Sequence, residues 1–335
     1  MRLRMIILLC FLTLSLIGRF DYYLMRQFPY IPLNATDTPV TFNLTKGSGT
    51  KTITKQLQTQ GVVNAWQGSL LRLWVRSQKA EKLLKAGEYQ LSSHITPDQL
   101  LIKLIRGDVI QYELMFSEGL RFEQAMGLIQ NHPAIKKTLQ NKSLSEIMFL
   151  LGEKEVHPEG LFFPDTYYFI RDTTDIEILR RARQIMQNRL LAAWEQRSPG
   201  IVVKTPYEAL ILASIIEKEA KGIEERCLIS GVFQRRLAKN MRLQADPTVI
   251  YGLGKEYSGN LTQAQLKQAS PYNTYINKGL PPTPIALPGI TAITAALHPD
   301  NGETLYFVAK GDGSHHFSVT LKDHNEAVKK YQLGE

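Results

Sequence analysis

Residues 205–222 read TPYEALILASIIEKEAKG. Thr205 is a suitable N-cap, Pro206 suits the first helical position, and Glu208 three residues after the cap completes a capping box. Gly222 supplies the stop, so the pattern predicts a helix from 206 to about 221. Two acids fall in its last turns. Glu219 has Ile215 and Ile216 one turn behind it, whereas Glu217 neighbours Ala213, Ser214, Ala220 and Lys221. Glu219 therefore projects from an apolar stripe. Desolvation there raises a carboxyl pKa, and the negative end of the helix dipole acts in the same direction. A carboxyl kept protonated near neutral pH is what a general acid requires for donation to a glycosidic oxygen. Glu217, four residues before Lys221, reads as a solvated surface ion pair. The alternative for Glu219 is a structural carboxylate whose end reaches water or an arginine such as Arg226.

Downstream, residues 241–254 (MRLQADPTVIYGLG) gather Gln244, Asp246, Thr248 and Tyr251 around a proline turn. Residues 270–289 (SPYNTYINKGLPPTPIALPG) read as an extended segment with Asn273 and Tyr275 on one face. Residues 304–320 read as a hairpin turning at Gly311-Asp312-Gly313-Ser314, with His315 and His316 just past the turn. Amides, phenols and short hydroxyls of this kind suit a carbohydrate. Upstream, HPEGLFFPDTYYF (157–169) places Glu159 in an aromatic, acidic loop that reads either as sugar-lining or as a local hydrophobic cluster. A metal shared by His315, His316 and His324 is disfavoured, because adjacent strand residues face opposite ways. Neither a phosphate-binding loop, a G-x-S-x-G elbow nor a cofactor fingerprint occurs, and no cofactor is expected.

Residues 5–18 (MIILLCFLTLSLIG) form an uncharged run between Arg2/Arg4 and Arg19. At about 1.5 Å per residue it covers roughly 21 Å of a hydrocarbon core of about 30 Å, so residues 20–24 must extend it. No small-x-small cleavage site follows, which favours an uncleaved anchor over a signal peptide, with a cytoplasmic start and an exported body. Expected domains are this anchor (1–27), a proline-bearing tether (28–39), a small α+β module (40–108) and a mixed α+β domain (109–335). In the module, helices are expected at about 52–60 and 69–84, a strand at 85–91, and a helix capped by Thr96-Pro97 and ending at Gly107.

The chain has 335 residues, 44% hydrophobic and 21% charged, which fits globular protein with two cores. Cys10 lies in the leader, leaving Cys227 alone in the body and excluding a disulfide-stapled scaffold. Of the net charge of +9, residues 1–30 carry +3, residues 31–110 carry +5, and the remainder only +1. A basic front third suits anionic lipid, a polyanionic wall or nucleic acid, or is simply a solvated face.

These strings, from KAGEYQL (85–91) through ASIIEKEA and MRLQADPTVIYGLG to the SHHF hairpin and its following DHN, resemble the MltG (YceG-like) endolytic murein transglycosylases along nearly the whole chain. The resemblance implies a single-pass protein of the bacterial inner membrane with a LysM-like subdomain and a periplasmic catalytic domain. It implies cleavage of the MurNAc–GlcNAc β-1,4 bond within nascent glycan strands, leaving 1,6-anhydro-MurNAc ends and terminating strand elongation. The second acid of the E-K-E string, Glu219, corresponds to the family's catalytic glutamate. Gln244, Asp246, Tyr251, Asn273, Tyr275 and His315 are then expected to hold sugars, with Glu217 and Glu159 as secondary candidates. Peptidoglycan strands, the inner membrane and peptidoglycan synthases are the implied partners, and nucleic acid is not among them. The competing readings are a muramidase that uses water, with Glu217, Asp246 or Glu159 as base, and a non-catalytic wall-binding scaffold.

Overall fold

A computed structural model describes residues 19, 22–33, 38–153, 156–220 and 222–334. The expected anchor at residues 5–18 lies outside them, and among the described residues no helix is long and apolar enough to cross a membrane. The chain is mixed α+β and divides into two compact units. One holds the described residues up to Tyr112 together with Phe169–Arg171; the other holds Glu113–Tyr168 and the chain from Asp172 onward.

The first unit begins with strand β1 (Val40–Leu44), followed by helices α1 (Thr50–Thr59) and α2 (Ala65–Ser77), strand β2 (Gly87–Leu91) and helix α3 (Pro97–Arg106). β1 and β2 are antiparallel, with Phe42 opposite Tyr89 and Val40 opposite Leu91. Phe42 and Leu44 point inward by the two-residue period of a strand and meet Leu57, Leu71, Trp74, Leu100 and Leu104 from the helices. α3 starts as its sequence requires. Thr96 and Gln99 cap each other reciprocally, Pro97 occupies the first turn, and Gly107 closes the helix at φ +77°. α2 departs from expectation, beginning four residues earlier than 69 because Asn64 and Gln67 form a capping box there. It ends at Ser77, well before the expected 84. Glu88 breaks the alternation of β2: it is buried beside Tyr89 because Arg171 Nε stands 2.9 Å from its carboxylate and the Tyr112 hydroxyl donates to it.

Strands β3 (Tyr112–Met115) and β4 (Thr166–Phe169) pair as a second ribbon. Between and after them come α4 (Phe122–Asn131), α5 (Leu144–Leu150), α6 (Asp175–Glu195), α7 (Pro206–Glu219), α8 (Arg226–Ala238), α9 (Asp246–Leu253), α10 (Gln263–Leu266) and α11 (Ile290–Leu297). The hairpin β5 (Tyr306–Ala309) and β6 (His315–Ser318) follows, with His315 opposite Ala309, and α12 (Leu321–Val328) comes last. The expected 304–320 hairpin is thus present.

α7 is the centre of this unit. Every residue from Ala209 to Ile216 is buried, because α11, α8, α6 and α9 surround it. An all-round apolar helix of this kind has no solvent stripe, so the expected contrast between an apolar Glu219 face and a solvated Glu217 face does not arise. Ser214, buried within the run, donates to Ile211 O (2.7 Å) and accepts the Ile285 amide (3.0 Å). The helix also ends sooner than Gly222: Ala220 is already extended (φ −85°, ψ 120°). At its start Thr205 accepts the Glu208 amide, but the Glu208 carboxylate takes the Lys204 amide, so the capping box is not closed on Thr205.

Asp175, fully buried at the start of α6, accepts the amides of Thr138 (2.8 Å) and Leu139 (2.9 Å) and the Thr138 hydroxyl. Removing the acceptor strands the buried Leu139 amide and the part-buried Thr138 amide. Asp175→Ala is expected to lower unfolding free energy by about 3 kcal/mol, read as a reduced urea midpoint at unchanged slope. A loss below about 0.5 kcal/mol, the scale of an ordinary surface substitution, contradicts this anchoring.

Candidate active site

Glu219 is the last helical residue of α7 and lines a cleft of about 340 Å³. The opposite walls come from separate parts of the chain: Gln244 and Asp246 before and at the start of α9, Tyr275 from the following loop, and His315 from β6. Four of the expected binding residues thus share one cleft with the acid. Burial strips water from the Glu219 carboxyl and, with Asp246's negative charge as a lesser cause, pushes its pKa up to about 8. Among the described residues no cation pairs with it. The arginine that could do so is engaged elsewhere. Arg226 grips Glu217 at 2.8 and 3.2 Å, and Glu217 also accepts the Gly289 amide at 2.9 Å.

Glu217 therefore is not the expected solvated pair with Lys221. Its side chain is 5% exposed and its partner is Arg226 at the start of α8. Burial moves its pKa upward as well, opposed by the Gly289 amide and by Arg226. The Arg226–Glu217 pair ties the end of α7 to the starts of α8 and α11. Glu219, two residues further on, is left without a paired cation among the described residues.

The cleft's other groups are held in place. Tyr275 donates to Asp246 Oδ1 at 2.5 Å, and burial followed by this bond raises the phenol's pKa. Gln244 sits in the left-handed region (φ +52°), a conformation that a non-glycine residue adopts at a cost, and its amide donates to Thr274 O (3.1 Å). His315 is fixed by Glu225, which takes its backbone amide at 2.8 Å and lies 2.7 Å from Nδ1. Phe307 stands edge-on to the His315 ring. Because neighbouring strand residues face oppositely, His316 points elsewhere and lies tilted against Tyr331.

Three expected residues are placed differently. Asn273 is buried, donating to Leu266 O (3.1 Å) and Gln268 O (2.9 Å) while accepting the Tyr275 amide (2.9 Å). Its segment consists of turns and not an extended strand, so Asn273 folds the loop that presents Tyr275 and does not share its face. Tyr251 lies five residues along α9 from Asp246 and lines a second cavity, donating to Glu159 Oε2 at 3.1 Å. Glu159 is buried in that second site, where it also accepts the Phe122 amide at 2.8 Å. Leu161 and the aromatics Phe162, Phe163 and Tyr167 that follow it are core.

Sequence reasoning missed Glu225 and Arg236. Arg236 lines the cleft but donates to Leu243 O (2.8 Å) and Leu305 O (2.7 Å). No sequence pattern marks Glu225, whose partner is 90 residues away. Among the described residues no group of three or more His, Cys, Asp or Glu is arranged to hold a metal.

A sequence model of the YceG-like family matches residues 42–330. A protein of Bacillus subtilis strain 168 named endolytic murein transglycosylase is 32% identical over 311 residues, covering 88% of this chain and 85% of its own. A protein of the same name from Streptococcus pneumoniae strain D39 is 27% identical over 96% of this chain, which spans 64% of that longer relative. The crystal structure of a YceG-like protein from Listeria monocytogenes superposes with a TM-score of 0.53 at 31% identity, over 87% of this chain and 99% of that one.

The raised Glu219 pKa has a stability consequence. In the unfolded chain this carboxyl titrates near its usual value of about 4.3, so the folded state binds the extra proton. Stability is fully present below that value and is lost as pH rises through about 8. Glu219→Gln, which cannot ionise, is expected to match the wild type in melting temperature at pH 4.5 and to exceed it by several degrees at pH 9. Equal melting temperatures at both pH values contradict the assignment.

Proposed function

Because the chain belongs to the YceG-like family, we propose that it is a lytic transglycosylase that cleaves the MurNAc–GlcNAc β-1,4 bond within peptidoglycan strands. The observation that carries this reading is Glu219: one acid, with no cation paired to it among the described residues and a pKa pushed up to about 8, in a cleft rich in polar groups. Protonated at neutral pH, Glu219 gives its proton to the leaving GlcNAc oxygen as positive charge develops at MurNAc C1. The resulting carboxylate then takes the proton of the MurNAc C6 hydroxyl, whose oxygen closes on C1. The glycosidic C–O bond breaks, the new C1–O6 bond forms, and the proton returns to Glu219. The nucleophile is tethered to the substrate and has a high effective concentration, so no second catalytic carboxylate is required.

Gln244, Asp246, Tyr275 and His315 hold the sugars and their N-acetyl groups around this acid. Glu225 keeps His315 in one orientation, with Nδ1 committed to the carboxylate and Nε2 left for the substrate. A muramidase would use a base to activate water. Of the three candidate bases, Glu217 is committed to Arg226, Glu159 lies in the second cavity, and Asp246, in the cleft itself, already accepts the Tyr275 hydroxyl, which supports the intramolecular route. Residues 5–18 anchor the enzyme in the inner membrane, with the body in the periplasm. The first unit acts as a LysM-like module, and cleavage terminates strand elongation beside peptidoglycan synthases.

Mass spectrometry of digested glycan strands tests the reaction. Wild type is expected to yield 1,6-anhydro ends, at a rate that falls as pH rises above about 8. Glu219→Gln is expected to lose at least about a thousandfold in kcat, the combined scale of lost acid and base steps. Reducing ends in place of anhydro ends, or undiminished cleavage by Glu219→Gln, refute the proposal.

A further inference from the structure

The second cavity, about 980 Å³ and at the upper end of the range for ligand sites, has no part in the proton transfers assigned to Glu219. It is continuous with the catalytic machinery through one element. α9 begins with Asp246 in the Glu219 cleft and carries Tyr251 in this cavity five residues later, ~8 Å along the axis at 1.5 Å per residue.

Its chemistry differs from that of the cleft. One face of Tyr251 is taken by the Arg121 guanidinium, 5.0 Å from the ring centroid, and Tyr272 packs at a tilt 4.8 Å away, which crowds the ring against stacking on a sugar. Arg121 is held there by Ile250 O at 3.0 Å, and the buried Glu159 beneath is committed to the Phe122 amide and the Tyr251 hydroxyl. What the cavity offers a ligand is two cations, the amides of Gln130, Gln140 and Asn141, and an apolar wall. Arg121 and Lys142 line it, and the one acid on its exposed rim, Glu123, faces Lys255 at 3.9 Å. Met126, Leu144 and Ile147 supply an apolar wall, with Leu144 49% exposed. A carboxylate with small apolar side chains nearby satisfies both halves.

We propose that this cavity binds a short peptide bearing free carboxylates and small apolar side chains, the chemistry of the stem peptide carried by the same polymer whose glycan occupies the Glu219 cleft. The identity of the ligand rests on the peptidoglycan reading above; the cavity's preference for an acidic peptide does not. Arg121 and Lys142 pair with carboxylate groups, and methyl side chains pack on Met126 and Leu144. Five residues also turn α9 by about 140°, so a peptide springing from a sugar near the scissile linkage reaches the site by passing around this short helix. The enzyme thereby distinguishes strands that carry stem peptides from strands stripped of them.

The test uses the full chain carrying Glu219→Gln, titrated by NMR or calorimetry with isolated stem tetrapeptide and separately with a peptide-free oligosaccharide of GlcNAc and MurNAc. Saturable binding of the tetrapeptide is expected, weakened at least tenfold by Arg121→Ala and by the cavity-filling Met126→Trp. Lys142→Glu, a change at an exposed position, is expected to weaken it similarly without touching the core. Oligosaccharide binding is expected to be unaffected by all three. Absence of saturable peptide binding, or affinity unchanged in Met126→Trp and Lys142→Glu, overturns the proposal. With Glu219 intact, cleavage of stripped strands is expected to be unchanged in Lys142→Glu, whereas the wild type's preference for peptide-bearing strands is lost. Peptide binding without any anhydro product would leave this cavity assigned while refuting the lytic reaction, so the two failures are separable.

Discussion

The commitment of Arg226 to Glu217 is the interaction on which the site depends. Two glutamates stand two residues apart at the end of a helix whose middle, Ala209 to Ile216, is buried throughout, and among the described residues Arg226 is the cation that pairs with an acid there. A buried carboxylate with a bidentate arginine and an amide is a stable structural device. A carboxyl stripped of water with no cation keeps its proton. The same short segment thus holds both states of one residue type, and their different partners assign different work to them. The pair also locks the ends of three helices together, so Glu219 sits on a rigid support.

Around Glu219, the cleft is built from pieces that each carry their own constraint. Asp246 opens α9 and accepts the Tyr275 hydroxyl, Gln244 is held in a left-handed conformation, and Glu225 holds the backbone amide and Nδ1 edge of His315. Asp246 has a further effect through space, since its charge opposes ionisation of Glu219. These contacts come from loops and element ends, where a scaffold can present polar groups without leaving its core unsatisfied.

Elements with local signals were readable from the sequence. The Thr96-Pro97 start and Gly107 stop of α3, the Pro206 start of α7, and the hairpin carrying His315 follow from capping and turn chemistry that operates within a few residues. The assembly of Glu219, Gln244, Asp246, Tyr275 and His315 into one cleft was legible as a set of polar strings, though not as a geometry. What could not be read depends on distant neighbours. Glu217 looked solvated because Lys221 is near in sequence, whereas burial by α8 and α11 and the reach of Arg226 decide its state. Asn273 looked like a partner of Tyr275 in an extended run, but its amide is consumed in closing the turn. Tyr251 shares a short helix with Asp246, and helical rotation sends it to a different cavity.

The central claim is that one carboxyl remains protonated at neutral pH while its neighbour two residues away is held by an arginine. Carbon-13 NMR titration of the labelled glutamate carboxyls, with the Glu219 resonance identified through Glu219→Gln, measures this directly. The account predicts a midpoint near 8 for Glu219. A midpoint near the ordinary glutamate value of about 4.3 would contradict it.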